Sequence, residues 1–92
     1  MRWPRVRDEY LREGPGVVPH VIIKHFPKDL DDETRARLAA RVSEAVQEAF
    51  GVRQGAVSIG LEPVGRDDWD TEVYQPEIAG RQDRLIQFPD YG

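Results

Sequence analysis

The sequence predicts a small α/β (α+β) domain: a single β-α-β unit with parallel strands, completed by oligomerisation. Three observations lead there. Residues 20–24 form a β-branched apolar run, residues 31–50 carry apolar side chains at helical spacing, and residues 56–62 alternate with period two.

The first strand is opened by Pro19, which is tolerated there because a first strand residue need not donate to the ladder. His20-Val21-Ile22-Ile23-Lys24 is apolar on both faces, the pattern of a strand covered on both sides. Pro27 ends it. Asp31 then reads as a helix N-cap, with Asp32 and Glu33 in the first turn where negative charge suits the helix dipole. Leu38, Val42, Ala45, Val46, Ala49 and Phe50 define one buried face, and Gly51 supplies the stop. In the second strand Val57, Ile59 and Leu61 share one face, while Ser58, Gly60 and Glu62 share the other. Two strands flanking one long helix require a right-handed crossover.

Beyond Pro63, Gly65-Arg66-Asp67-Asp68-Trp69 reads as a loop entering a helical turn that extends through Tyr74. The tail RQDRLIQFPDYG holds Leu85, Ile86, Phe88 and Tyr91, enough apolar surface to dock over a neighbouring site or subunit but too little to fold alone. A two-stranded sheet with one helix leaves a sheet face and an edge uncovered, so at least a dimer is expected. Residues 1–18, MRWPRVRDEYLREGPGVV, sustain no period and read as a loose extension, with a short helical turn at 8–12; residues 19–92 form the domain.

Composition narrows the chemistry. Ninety-two residues bury a modest fraction of their surface, and the absence of cysteine removes disulfides and thiolate zinc sites, leaving association as the remaining staple. His20 and His25 fall on opposite faces of a strand, a poor start for a metal site, and neither a metal nor an organic cofactor is expected. The acidic cluster Asp67, Asp68, Asp70 and Glu72 lacks the glycine and final glutamate of a calcium loop and reads as a solvated helix start. A net charge of −4 without a clustered basic face argues against nucleic acid. No apolar run approaches the length of a membrane span, so a cytoplasmic protein is expected.

From Pro19 onward the chain resembles the 4-oxalocrotonate tautomerase family, and within it the dimeric bacterial subgroup called PptA-type. The resemblance rests on PHVIIKHFP, LDDETRARLAARVSEAV, AVSIGLEPV, DDWDTEVYQPEI and FPDYG in that order. It implies a tautomerase/MIF-like fold that oligomerises, with dimers favoured. It also implies an amino-terminal proline acting as general base in keto–enol or 1,3-proton transfer on a 2-oxo acid or its enol. Pro19 is the residue that matches. A secondary amine in an apolar pocket has its pKa lowered because the cation is disfavoured, and a base poised near working pH is the efficient one.

Two departures qualify this expectation. Better-known members hold substrate carboxylates with two arginines, whose places fall here on Asp29 or Leu30 and on Ser58. A serine cannot replace a bidentate guanidinium, which disfavours a dicarboxylate and favours an aryl or alkyl 2-oxo acid between apolar walls from Trp69, Phe50 and Tyr74. Arg53, Arg81 and Arg84 are alternative cations. His20 and Ser58 are weaker candidates for substrate contact.

The second departure is that Val18 precedes Pro19, and an internal proline nitrogen is an amide without basicity. Either translation starts at Val17 or Val18, read from GTG in a gene whose eleven arginines against two lysines suggest GC-richness, or the extension is kept. The first gives an enzyme. The second gives a non-catalytic oligomeric or binding protein of the same fold.

Overall fold

A computed structural model describes residues 17–91, so the expected extension lies outside the described residues except for Val17 and Val18, which are exposed. The chain divides into two units. One comprises residues 17–23 with Asp29–Leu61, the other Lys24–Lys28 with residues 62–91.

Strand β1 spans His20–His25 and pairs with β2, Ser58–Pro63, in a two-stranded sheet. The Ser58 N–H donates to the Pro19 carbonyl at 3.2 Å and the Val64 N–H to the His25 carbonyl at 2.8 Å. Both pairs have the same separation along the chain, as a parallel ladder requires.

Between the strands lies α1, Asp32–Phe50. Its start is the expected one. The Asp31 carboxylate accepts the Thr34 N–H at 2.8 Å, and bonding from Thr34 holds the Asp31 carboxyl below the usual carboxylate range. Its end is also as expected: Gly51 adopts φ 68°, and the N–H groups of Gly51 and Val52 both donate to the Gln47 carbonyl, at 2.8 and 3.2 Å. A side chain at that φ is strained, so Gly51→Ala should lower stability by about 1 kcal/mol, read from the urea midpoint.

The sheet is less covered than the apolar run predicts. Val21 and Ile23 are half-buried, but Ile22 is 45% exposed and lies over Gly60, where an added Cβ would meet Ile22 Cδ1 at 3.0 Å. A single β-α-β unit supplies one helical layer, and one layer covers one face. The helix shows the same economy. Leu38, Val42 and Val46 are half-buried as predicted, whereas Ala45, Ala49 and Phe50 are exposed. The most buried helical position is Ser43, whose hydroxyl accepts from Gln47 Nε2 at 2.9 Å. A two-stranded sheet is too narrow to cover the full apolar arc.

Strand β2 begins two residues later than the alternation suggests, because Gln54–Ala56 form a 3₁₀ turn closed by Ala56 N–H to Arg53 O and Val57 N–H to Gln54 O. Helical structure after Pro63 also extends further than predicted. Helix α2, Arg66–Trp69, continues as a π-helix over Asp70–Ile78 and 3₁₀ turns over Ala79–Arg84. Pro76 cannot donate, and the widened turn absorbs it: the Ala79 N–H reaches both the Gln75 and Tyr74 carbonyls. Gln75 Nε2 also donates to Asp70 Oδ1 at 3.1 Å, a five-residue spacing that suits this wider period. Gly80 is required at the junction, since a Cβ there would lie 2.8 Å from the Gln75 carbonyl oxygen. The apolar residues buried among those described are Val64 and Val73, both in the second unit.

Candidate active site

The first unit brings three predicted residues together. Pro19 is half-buried immediately before β1, and its carbonyl is held by the Ser58 N–H. His20 opens the strand, and its Nδ1 lies 2.6 Å from Ser58 Oγ. Parallel pairing explains the grouping: register sets Ser58 beside the entry of β1, so one serine engages two successive residues of the neighbouring strand. Phe50, the other candidate in this unit, is 57% exposed at the C-terminal end of α1.

The second unit assembles an aromatic group. Phe26 meets Trp69 edge to face, with ring centroids 5.0 Å apart and planes at 81°, and the Arg66 guanidinium lies 4.7 Å above the Phe26 ring. Trp69 Nε1 donates to the Tyr91 hydroxyl at 3.3 Å, and Tyr74 and Tyr91 stand 6.0 Å apart. Trp69 and Tyr74 thus belong to one aromatic network, joined through Tyr91. Lys24, His25, Phe26, Trp69 and Tyr91 line a cavity of about 390 Å³, an apolar space large enough for a ring-bearing small molecule. The tail contributes through Tyr91, while Ile86 is 101% exposed and Phe88 61% exposed.

Phe26, Tyr91, Lys24 and His25 are not distinguishable as lining residues by pattern. Their available signal was aromatic content: Phe26 follows the strand directly, and Tyr91 sits in the FPDYG segment.

Lys24 of this unit is engaged in an ion pair. Lys24 Nζ contacts Glu77 Oε2 at 2.5 Å, joining β1 to the π-helix. The Glu77 hydrogen bond raises the Lys24 pKa, opposed by desolvation and reinforced by the charges of Glu77, Glu62 and Glu72. A raised folded value means that this contribution is present below the ordinary lysine range and is lost as pH rises through the folded value. Lys24→Met should therefore flatten the alkaline limb of the stability profile, measured by urea unfolding across pH. His25 Nδ1 faces the Phe26 carbonyl at 2.6 Å; a carbonyl only accepts, so Nδ1 carries the proton.

A parallel β-α-β unit followed by a helical segment is the tautomerase-type α+β fold, and the comparisons agree. The family model described as "Tautomerase enzyme" matches residues 19–72, and the chain belongs to that family. It is similar to Tautomerase PptA of Enterobacter sp. (strain 638), 40% identical over 74 residues, covering 80% of this chain and 97% of that protein. It is also similar to Tautomerase PptA of Klebsiella pneumoniae (strain 342), at 39%, and of Escherichia coli O9:H4 (strain HS), at 31%, with the same coverage.

Family membership supports an isomerase of the tautomerase type acting on a small molecule. No helix among the described residues is long and apolar enough to cross a membrane.

Proposed function

We propose that this protein catalyses keto–enol or 1,3-proton transfer on an aryl or alkyl 2-oxo acid or its enol, with Pro19 as general base and without a cofactor. The family match beginning at Pro19, immediately before β1, is the observation that carries the reading. As an amino terminus, Pro19 offers a nitrogen lone pair. That lone pair takes the enol hydroxyl proton while the C=C electrons capture a proton at C3, which the resulting ammonium returns; substrate and product differ only in the proton's position. His20 and Ser58 border this nitrogen in sequence and register.

The working form is a cytoplasmic homodimer. Exposed Ile22, Ile86 and Phe88 are the surfaces that support self-association, since exposed apolar groups of this size are stabilised by covering. Sedimentation at micromolar concentration should give twice the chain mass, and a stable monomer would exclude this part of the reading.

The deciding experiment compares three proteins: the full chain, a form beginning at Pro19, and that form carrying Pro19→Ala. Ketonisation of an aryl enol acid is expected at full rate from the second alone, with a strongly reduced rate from Pro19→Ala and only background from the full chain. Absence of turnover from all three, with the oligomer intact, selects the non-catalytic binding protein, a reading favoured by the Val18–Pro19 amide in this sequence.

A further inference from the structure

We propose that His20 is the anion-binding group of the Pro19 site and that Ser58 positions it by donating its hydroxyl proton to Nδ1. The inference rests on the isomerase reading above, which requires a partner for the negative charge of a 2-oxo acid.

Ser58 is engaged twice with the start of β1. Its N–H holds the Pro19 carbonyl at 3.2 Å, and its Oγ stands 2.6 Å from His20 Nδ1. One residue therefore couples the backbone of the base to the ring beside it. The two histidines of the chain face different partners. His25 Nδ1 faces a carbonyl and must carry its own proton, whereas His20 Nδ1 faces a hydroxyl that can donate. A hydroxyl that donates to Nδ1 leaves the imidazole proton on Nε2, and the ring becomes an oriented N–H donor. His20 is exposed, so that donor is reachable from solvent.

His20 follows Pro19 directly in the chain, with adjacent Cα atoms about 3.8 Å apart, and in the proposed complex a 2-oxo acid bridges the Pro19 nitrogen and the His20 ring. Its carboxylate accepts from Nε2–H while C3 and the enol oxygen remain with the Pro19 nitrogen. Ser58 is then a positioning residue, because it acts through His20. The recognised class is a monocarboxylate: a single imidazole donor holds one carboxylate, and a second carboxylate would need a second donor.

The test uses the full chain and phenylglyoxylate, a 2-oxo acid with no proton to lose, so binding is read without turnover. In mildly alkaline buffer, imidazole ¹⁵N shifts are expected to place the His20 proton on Nε2. Phenylglyoxylate should move those resonances and bind at least about tenfold more tightly than its neutral methyl ester, the scale of one charge-assisted hydrogen bond. His20→Phe should abolish that preference. Ser58→Ala should move the proton toward Nδ1 and weaken binding, and Ser58→Thr, which keeps the hydroxyl, should restore both, with circular dichroism unchanged throughout.

A His20 proton found on Nδ1 in the native chain, an ester bound as well as the acid, or binding unchanged in His20→Phe overturns the proposal, as does no binding at all. Turnover by protein beginning at Pro19 is a separate readout. Activity without a His20 contact sinks this inference and leaves the isomerase, and binding at His20 without activity does the reverse.

Discussion

Protein beginning at Pro19 is expected to ketonise an aryl enol acid, and Pro19→Ala in that form should lower kcat/KM by about 10²–10³-fold, the range of a displaced general base. The loss is incomplete for a chemical reason. Alanine at the amino terminus still offers an amine, but a primary one without the ring that pins the lone pair, so proton transfer is mispositioned rather than removed. The full chain should show only background turnover, because acylation by Val18 delocalises the Pro19 lone pair into the peptide bond. A continuous enol-decay assay separates the forms directly. Equal rates from all three would show that Pro19 takes no part in the chemistry.

Trp69→Ala should destabilise the fold by about 2–3 kcal/mol, measured by urea unfolding. Trp69 is the node of the second unit: its ring meets Phe26 edge to face and its Nε1 donates to Tyr91. Removing it opens a void between groups that have little other cover, since the buried apolar residues described are Val64 and Val73. Trp69→Phe should recover most of the loss, because the ring contact persists while the N–H is gone. Tyr91→Phe, which removes only the long 3.3 Å hydrogen bond, should cost about 0.5 kcal/mol. A Trp69→Ala protein as stable as the parent would mean that the aromatic group is not structural.

The elements legible in the sequence are those specified by neighbouring residues. Asp31 with Thr34 at one end of α1 and Gly51 at the other use interactions spanning three to five residues, so composition and spacing locate them. The alternation of β2 was readable for the same reason. Its first residue was not, because Gln54–Ala56 close a turn that no apolar pattern records. The helical run through Pro76 was illegible on principle: proline signals a break, and only the π-register accommodates it.

The candidate site divides the same way. Pro19 was identified by motif, and Trp69 and Tyr74 by residue type, whereas the His20–Ser58 pair joins residues on two strands whose register is a tertiary quantity. Phe26 and Tyr91 meet Trp69 from distant parts of the chain, and no local spacing encodes that meeting. The faces predicted as covered, at Ile22 and Phe50, stand exposed in the single chain, because apolar character specifies that a residue is to be covered without specifying by what.

The sequence by itself determined the β-α-β order, the ends of α1 and the family, since each depends on short-range chemistry or on an ordered set of motifs. Tertiary structure alone decided that Ser58 contacts both Pro19 and His20, and that Lys24, His25, Phe26, Trp69 and Tyr91 line one open cavity. Strand register and side-chain packing couple residues far apart along the chain, and that coupling exists only once the backbone has closed.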